Sequence, residues 1–293
     1  MMENSKPGSF ARAASQTRQP TTGCPKNVGC VVAALQNHLM TKARERTIRR
    51  AGAGGRFCAI MLDDGGVGVA NLCPDVCGEP TRRVSDWLPK QGTPAVDALA
   101  TLAIPERSAI GLATANALVN RFPGRDDPSD KLSIRGDLLD VLELRPDDHV
   151  GMVGCFSPLV ESIRRRVRCL SIFERGPRLT PDLLPEDRAA EILPECSVAL
   201  ITATTLINGT IDELLAAAKD CREVVLLGPS TPLVPEVFAT MPHLVTLLAG
   251  VVVTDAEELL RTVAQGGGTR DFKTSAVKVN VRVNAVSKSL PST

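Results

Sequence analysis

The sequence predicts an α/β fold: an open parallel sheet with helices on both faces, preceded by a smaller domain that mixes helix and strand. Three observations predict it. From His149 onward, short apolar runs alternate with helical patterns, as strand–helix–strand units do. In the first unit, His149-Val-Gly-Met-Val-Gly154 leads into Cys155-Phe-Ser-Pro158 and a helical stretch, and a second apolar run closes at Glu174. A strand feeding glycine into a helix, with an acid about 20 residues on, is how a Rossmann-like half holds a nucleotide or other anion. Third, several later strands also end in polar residues at the start of a helix.

Residues 1–26 mix Gly, Pro, Ser, Gln and Thr without period and read as a disordered tail. The absence of acids from Asn4 to Arg44 is shared with transit peptides, but no apolar signal core is present. Residues 27–133 form the smaller α+β domain. In it Val28, Val31, Val32, Leu35 and Leu39 fall at helical spacing, and the basic, glycine-rich Arg44 to Arg56 reads as a loop. Phe57 to Leu62 and Val67 to Cys73 make strands joined by the turn Asp63-Asp-Gly-Gly66. Val96 to Ile104 and Ala109 to Val119 read as helices. The second has a small-residue face suited to close approach of a backbone or ligand, and Asn116 and Asn120 share one side of it.

Residues 122–133 read as a linker, and the Rossmann-like domain is placed at 134–275. A helix from Asp137 to Leu144 leads in. Strands follow at 149–154, 169–174, 197–203, 223–228 and 244–253, with helices at 158–167, 211–219, 232–240 and 256–264. Residues 276–293 form a tail in which Val277 to Val283 can add an edge strand.

Bulk properties exclude several function classes. A net charge of +1 and a pI near 7.5 provide no field for a polyanion. With 3% aromatics, no Tyr and only Trp87, stacking platforms are scarce, so nucleic acid is a poor partner. The longest apolar run, Leu244 to Val253, is far short of the roughly 20 residues that span a bilayer. Nine cysteines, odd in number and mostly within apolar patterns, fit reduced thiols in a cytosolic protein. Oligomeric state is not legible, and a homo-oligomer is compatible with everything above.

In an open parallel sheet the polar strand ends line one carboxyl edge. They are Gly154-Cys-Phe-Ser157, Thr202-Ala-Thr-Thr205-Leu-Ile-Asn208-Gly-Thr210, Gly228-Pro-Ser-Thr231 and Thr254-Asp255-Ala-Glu-Glu258. Ser157, Thr210, Thr231 and Asp255 are each candidate helix caps, with Thr210-x-x-Glu213 a capping box. The hydroxyls and amides around Thr204 and Asn208 outnumber what one cap uses, and free helix amides attract anions. Glu174 stands where a Rossmann domain places its ribose acid, or else pairs with Arg175. Cys155 precedes a helix N-terminus, a setting that suits a reactive or metal-binding thiol, although packing is the commoner role of such a residue. Cys73-x-x-x-Cys77 lacks a second Cys/His pair, so no structural zinc site is expected, and His38, His149 and His243 are isolated.

Taken together, Gly151-Met-Val-Gly154-x-Phe156-x-Pro158, Phe173-Glu-Arg175, Ile192-Leu-Pro194, Ile201-Thr-x-Thr204-Thr-Leu-Ile-Asn208-Gly-Thr210, Leu227-Gly-Pro-Ser-Thr-Pro232, Leu248-Ala-Gly250 with Val253-Thr-Asp255, and Ala109 to Asn120 resemble the putative heavy-metal chelation family. The resemblance implies an N-terminal domain similar to the enolase N-terminal fold, a Rossmann-like domain, and a site in the cleft between them. Carried onto this chain, the site draws on Asn116, Asn120, Gly154, Phe156, Glu174, Thr204, Thr205, Asn208, Gly228, Ser230, Thr231 and Asp255. The pattern breaks at Cys155, where the family favours an aromatic. Metal-ligand candidates are Cys155, Glu174 and Asp255, and the implied cofactor or cargo is a heavy-metal ion or chelate.

The leading reading is thus a protein that binds a small anion or metal chelate between its domains. The alternative is an enzyme using S-adenosylmethionine or a nicotinamide nucleotide, since Leu144 to Gly154 also resembles a methyltransferase entry strand. That loop offers only Gly151 and Gly154 of a full glycine fingerprint. A third reading is an interaction module whose polar strand ends are only caps. No catalytic residue is identifiable.

Overall fold

The computed structural model describes residues 29–73, 80–120, 133–176 and 182–283. The expected N-terminal tail, the Cys77 half of the cysteine pair, and nearly all of the linker lie outside the described residues.

Helix α1 (Cys30–Arg44) is the first element of the described residues and buries Val31, Val32, Leu35 and Leu39 along one stripe. Three antiparallel strands follow in the order β1 (Ile48–Gly54), β2 (Phe57–Leu62), β3 (Val67–Asn71). Strand β1 corrects the loop expected from Arg44 to Arg56. Its glycines serve close packing: a Cβ on Gly54 would lie 2.2 Å from the Val263 carbonyl oxygen. Helices α2 (Pro80–Trp87), α3 (Ala95–Ala100) and α4 (Ser108–Val119) complete this unit.

Every residue of α4 from Ser108 to Leu118 is buried, so its small-residue face meets protein all round. A Cβ on Gly68 of β3 would fall 2.2 Å from both Ala113 O and Ala117 N, and one on Gly111 2.1 Å from Leu102 N. The helix therefore lies in backbone contact with the hairpin.

The second unit is an eight-stranded sheet in the order β4-β11-β10-β9-β8-β5-β6-β7. In chain order it contains β4 (Ser133–Arg135), β5 (His149–Val153), α5 (Ser157–Arg164), β6 (Cys169–Glu174), β7 (Leu184–Pro185), α6 (Ala189–Ile192) and β8 (Val198–Thr202). Then come α7 (Thr205–Asn208), α8 (Ile211–Ala217), β9 (Glu223–Leu227), α9 (Pro235–Ala239), β10 (Leu247–Val253), α10 (Ala256–Ala264) and β11 (Ala276–Arg282). The six strands from β10 to β7 are parallel. Val150, Met152 and Leu200 bury one face with Ile163 of α5, while Val153, Ala199 and Ile201 join the core on the other.

Two further expectations need correction. The stretch from Asp137 to Leu144 makes one 3-10 turn, Leu138–Asp140, because Leu138 and Leu142 already reach the core and Pro146 keeps Arg145 from continuing a helix. The C-terminal strand is not at the edge: β11 runs antiparallel to β10 and is covered in turn by β4.

The two units share apolar packing. Phe57, Ala59, Met61, Val67 and Val69 of the small sheet form one cluster with Leu259, Leu260 and Val263 of α10, and with Val253 and Phe272. The small sheet thus lies between α4 and α10. Asp212 of α8 also accepts the Val31 N–H at 3.2 Å, so a carboxylate of the second unit meets the first turn of α1.

At the amino edge of the large sheet, Asp148 is 3% exposed and accepts the Arg145 N–H (2.7 Å), the Ser197 hydroxyl (2.7 Å) and the Arg222 guanidinium (2.5 Å). Burial pushes its pKa up, but the three donors and the Arg222 charge together hold it below the ordinary carboxylate value. The group therefore favours the native state above about pH 4, and that contribution fades as pH falls through the lowered native value. Asp148→Asn should cost about 2 kcal/mol at pH 7, with the difference from wild type narrowing in acid, measured by urea denaturation from pH 7 to 3. Gly68→Ala should destabilise by about 1–3 kcal/mol, since its methyl group meets backbone that cannot move aside.

Candidate functional site

The sheet reverses its winding between β5 and β8: the chain goes from β5 outward to β6 and β7, then returns to the other side of β5. A crevice at the carboxyl ends of those strands is the usual ligand position in such sheets. Gly154 ends β5 at φ +84°, and its N–H donates to Phe173 O at 2.8 Å. A Cβ there would lie 3.0 Å from Thr202 Cγ2, so the two strand ends are tight against each other.

Glu174, at the end of β6, turns back onto this glycine turn. Its Oε2 accepts the Cys155 N–H at 2.7 Å and its Oε1 the Arg175 N–H at 3.0 Å. The Arg175 guanidinium goes instead to Glu186, at 2.8 and 3.0 Å. Cys155 Sγ lies 3.7 Å from Ser157 Oγ. Ser157 does not cap α5: Phe156 holds the cap position without a side-chain bond, and Pro158 sits in the first turn, where its missing N–H costs nothing.

Across the crevice, Thr202 Oγ1 and Thr204 Oγ1 are 3.0 Å apart, and Thr205, fully buried, donates to Thr202 O at 2.7 Å. Asn208 Oδ1 accepts both the N–H and hydroxyl of Thr210, at 3.1 and 2.8 Å. The expected capping box at Thr210 is not formed: its backbone is already helical (φ −89°, ψ −4°) rather than extended, and its hydroxyl turns to Asn208 instead of accepting from the helix. Gly228 ends the next strand at φ +116°, where a Cβ would stand 3.7 Å from the Phe156 ring. Gly154, Cys155, Phe156, Glu174, Thr204 and Gly228 thereby lie together at the carboxyl ends of neighbouring strands, with Thr205 and Asn208 on the α7 turn beside them.

The remaining candidates lie elsewhere. Asn116 is 2% exposed, and its Nδ2 donates to Val69 O (2.9 Å) and Ser230 O (3.1 Å). Asn120 donates to Val251 O at 3.2 Å, and Ser230 Oγ accepts the Asn71 N–H at 2.9 Å. Ser108 Oγ donates to Ile207 O at 3.0 Å. These bonds cross the junction of the two units, so Asn116, Asn120 and Ser230 knit it together. Thr231 is 3% exposed and precedes α9 without capping it; Val234 holds that position.

Asp255 does cap α10, accepting the Glu258 N–H at 3.0 Å. It borders a shallow depression of about 500 Å³ with Arg50, Glu257, Glu258 and Arg261. Four strand spacings separate β10 from β6, about 19 Å, so Asp255 and Glu174 cannot ligate one ion. Among the described residues no three His, Cys, Asp or Glu side chains converge as a metal cage. The polar groups gathered at the β5 and β8 strand ends are hydroxyls, the Glu174 carboxylate and the Cys155 thiol, too few carboxylate and thiol ligands for a metal cage. Sequence reasoning missed Asn71 and Ser108; only the pairing of the two units gives them a role.

A doubly wound, mostly parallel sheet with an α+β unit packed along its carboxyl edge defines the class: a Rossmann-like α/β architecture. The chain belongs to the putative heavy-metal chelation family, whose description is carried by two sequence models, one matching residues 36–119 and the other residues 137–282. An uncharacterised protein of Methanocaldococcus jannaschii is 29% identical over 146 residues, which is 48% of this chain and 56% of that relative's length. The match thus spans little more than half of the curated relative. A crystal structure of a family protein of unknown function from Pyrococcus horikoshii superposes with a TM-score of 0.73 at 20% identity, covering 86% of this chain and 99% of that one. Another, from Desulfitobacterium hafniense DCB-2, gives 0.69 at 23% identity, covering 85% and 98%. These likenesses establish the shared fold. Among the described residues no helix is long and apolar enough to cross a membrane.

The thiols divide by environment. Burial, reinforced by the neighbouring Cys221 and Cys169, pushes Cys196 up to about 12, and burial with nearby Asp220 pushes Cys221 up to about 11. Iodoacetamide at pH 8 should therefore modify exposed Cys169 and spare Cys196 and Cys221 until the protein is unfolded, as read by peptide mass spectrometry.

Proposed function

We propose that this chain binds a small oxygen-rich anion, of the kind that carries a heavy-metal ion as a chelate, in the crevice between the carboxyl ends of β5 and β8. The observation that carries the reading is the left-handed Gly154 turn opening onto the first turn of α5 and facing the Thr202–Thr204 hydroxyl pair. In the first turn of α5 Pro158 has no N–H and the Leu159 N–H bonds to Phe156 O, so the donors this reading relies on are the hydroxyls, which can donate to a carboxylate or accept from a protonated one. Glu174 adds a carboxylate beside this donor group, so the crevice suits a ligand that brings both anionic oxygens and a cation. In this reading the first unit steadies the crevice: Asn71 and Asn116 bond to Ser230, in the loop whose Gly228 faces Phe156.

The strand order favours a second reading, a nucleotide-dependent enzyme, because the six parallel strands follow the dinucleotide-binding sequence around β5. Against it, the turn after β5 offers only Gly151 and Gly154 of the glycine fingerprint that holds a dinucleotide pyrophosphate.

Calorimetry and equilibrium dialysis with citrate, metal-free and loaded with nickel or zinc, test the first reading. Thr204→Val should weaken binding about five- to tenfold by removing a hydroxyl from the crevice without changing its shape. No binding of either form, or binding indifferent to Thr204→Val and Gly154→Ala, would remove it. A thermal shift with S-adenosylmethionine or NAD that Glu174→Ala abolishes would promote the enzyme reading.

A further inference from the structure

Two buried thiols meet at the amino edge of the large sheet. Cys196 and Cys221 are 4% and 3% exposed, and each precedes its strand, β8 or β9, by two residues. Those strands run parallel with Val198 opposite Glu223, and the Arg222 N–H donates to Ser197 O at 2.9 Å, so the pairing reaches the residues next to both cysteines. Cys221 Sγ donates to Cys196 O at 3.2 Å and approaches Leu193 O at 3.8 Å, while Cys196 Sγ donates to Ile192 O at 3.5 Å. Two consecutive carbonyls at the end of α6 thus receive the two thiols, which seats both sulfurs under one turn.

Neighbouring strands lie about 4.8 Å apart, inside the roughly 4.4–6.8 Å between α-carbons that a disulfide spans. Cys169 opens β6, with β5 between it and β8, and at about two strand spacings it is beyond that span. We infer that Cys196 and Cys221 form an oxidation site, at which a peroxide joins them in a disulfide that staples the start of β8 to the start of β9. In the first step one thiolate attacks a peroxide oxygen, the O–O bond breaks, and the sulfur becomes a sulfenic acid as the other oxygen leaves as water. In the second, the partner sulfur attacks the sulfenic sulfur and expels its hydroxyl, which leaves as water with the partner's proton. Two thiols lose two electrons and two protons, and hydrogen peroxide is reduced to two waters. Burial holds the thiols protonated at neutral pH, with Cys196 pushed up to about 12 and Cys221 up to about 11, so the pair reacts slowly.

Native protein is treated with hydrogen peroxide at pH 8, freed of peroxide, unfolded in guanidinium chloride, alkylated with iodoacetamide and mapped by peptide mass spectrometry without reduction. The treated protein should yield a Cys196–Cys221 cross-linked peptide, lighter than its two parts by two hydrogens, and should lose alkylation at both positions. Untreated protein should be alkylated at both once unfolded. Cys169→Ser should keep the cross-link, and Cys221→Ser should abolish it. Three results would each overturn the inference: full alkylation or sulfinic acid at Cys196 and Cys221 after exhaustive peroxide treatment, cross-links that run through Cys169 instead, or a Cys196–Cys221 link that forms only when peroxide is added after guanidinium chloride.

Discussion

Close approach of the α4 backbone to the β2–β3 hairpin is the contact on which the rest of the molecule depends. It requires Gly66 and Gly68 on the hairpin and alanines on the helix, since a Cβ at either glycine would meet α4 backbone atoms at 2.2–2.5 Å. Seated that deeply, α4 can offer Ser108, Asn116 and Asn120 to three successive points of the large sheet's carboxyl edge. A helix held farther out by larger side chains would leave those amides and carbonyls buried without partners, at a cost no surface contact would offset.

That seating changes the relation between the two units. They are joined by a shared core rather than separated by an open cleft: α10 of the large unit covers the face of the small sheet that α4 leaves bare. The junction is polar where strand ends must be satisfied and apolar where the small sheet needs a second layer. The winding reversal between β5 and β8 is consequently set to one side of this junction, and the small unit reaches the neighbouring strand end through the Ser230 turn.

Much of this was legible in the residues. Alternating apolar and helical stretches located β5, β6, β8, β9, β10 and their helices to within a few residues, and the Asp-x-x-Glu start at Asp255 became a true cap. The misses share a cause. Strand β1 looked like a loop because its arginines and glycines carry no apolar alternation, and its glycines answer to the distant α10. Thr210 looked like a cap, but its backbone is already helical there and its hydroxyl turns to Asn208 two residues earlier. Of the candidate site, Gly154, Phe156, Glu174, Thr204 and Gly228 came together, whereas Asn116, Asn120 and Ser230 became structural and Asp255 fell about four strand spacings away.

By itself the sequence determined the α/β class, the polar strand ends and the family motifs, because periodicity, glycine turns and residue chemistry are local properties. Only the tertiary structure decided which polar ends meet, since strand order is set by pairing between distant segments. The same pairing turned the C-terminal strand inward and placed β4 at the edge. It also decided what Glu174 faces: a residue at the right spacing for a ribose instead folds back on the Cys155 amide, because β5 and β6 end side by side.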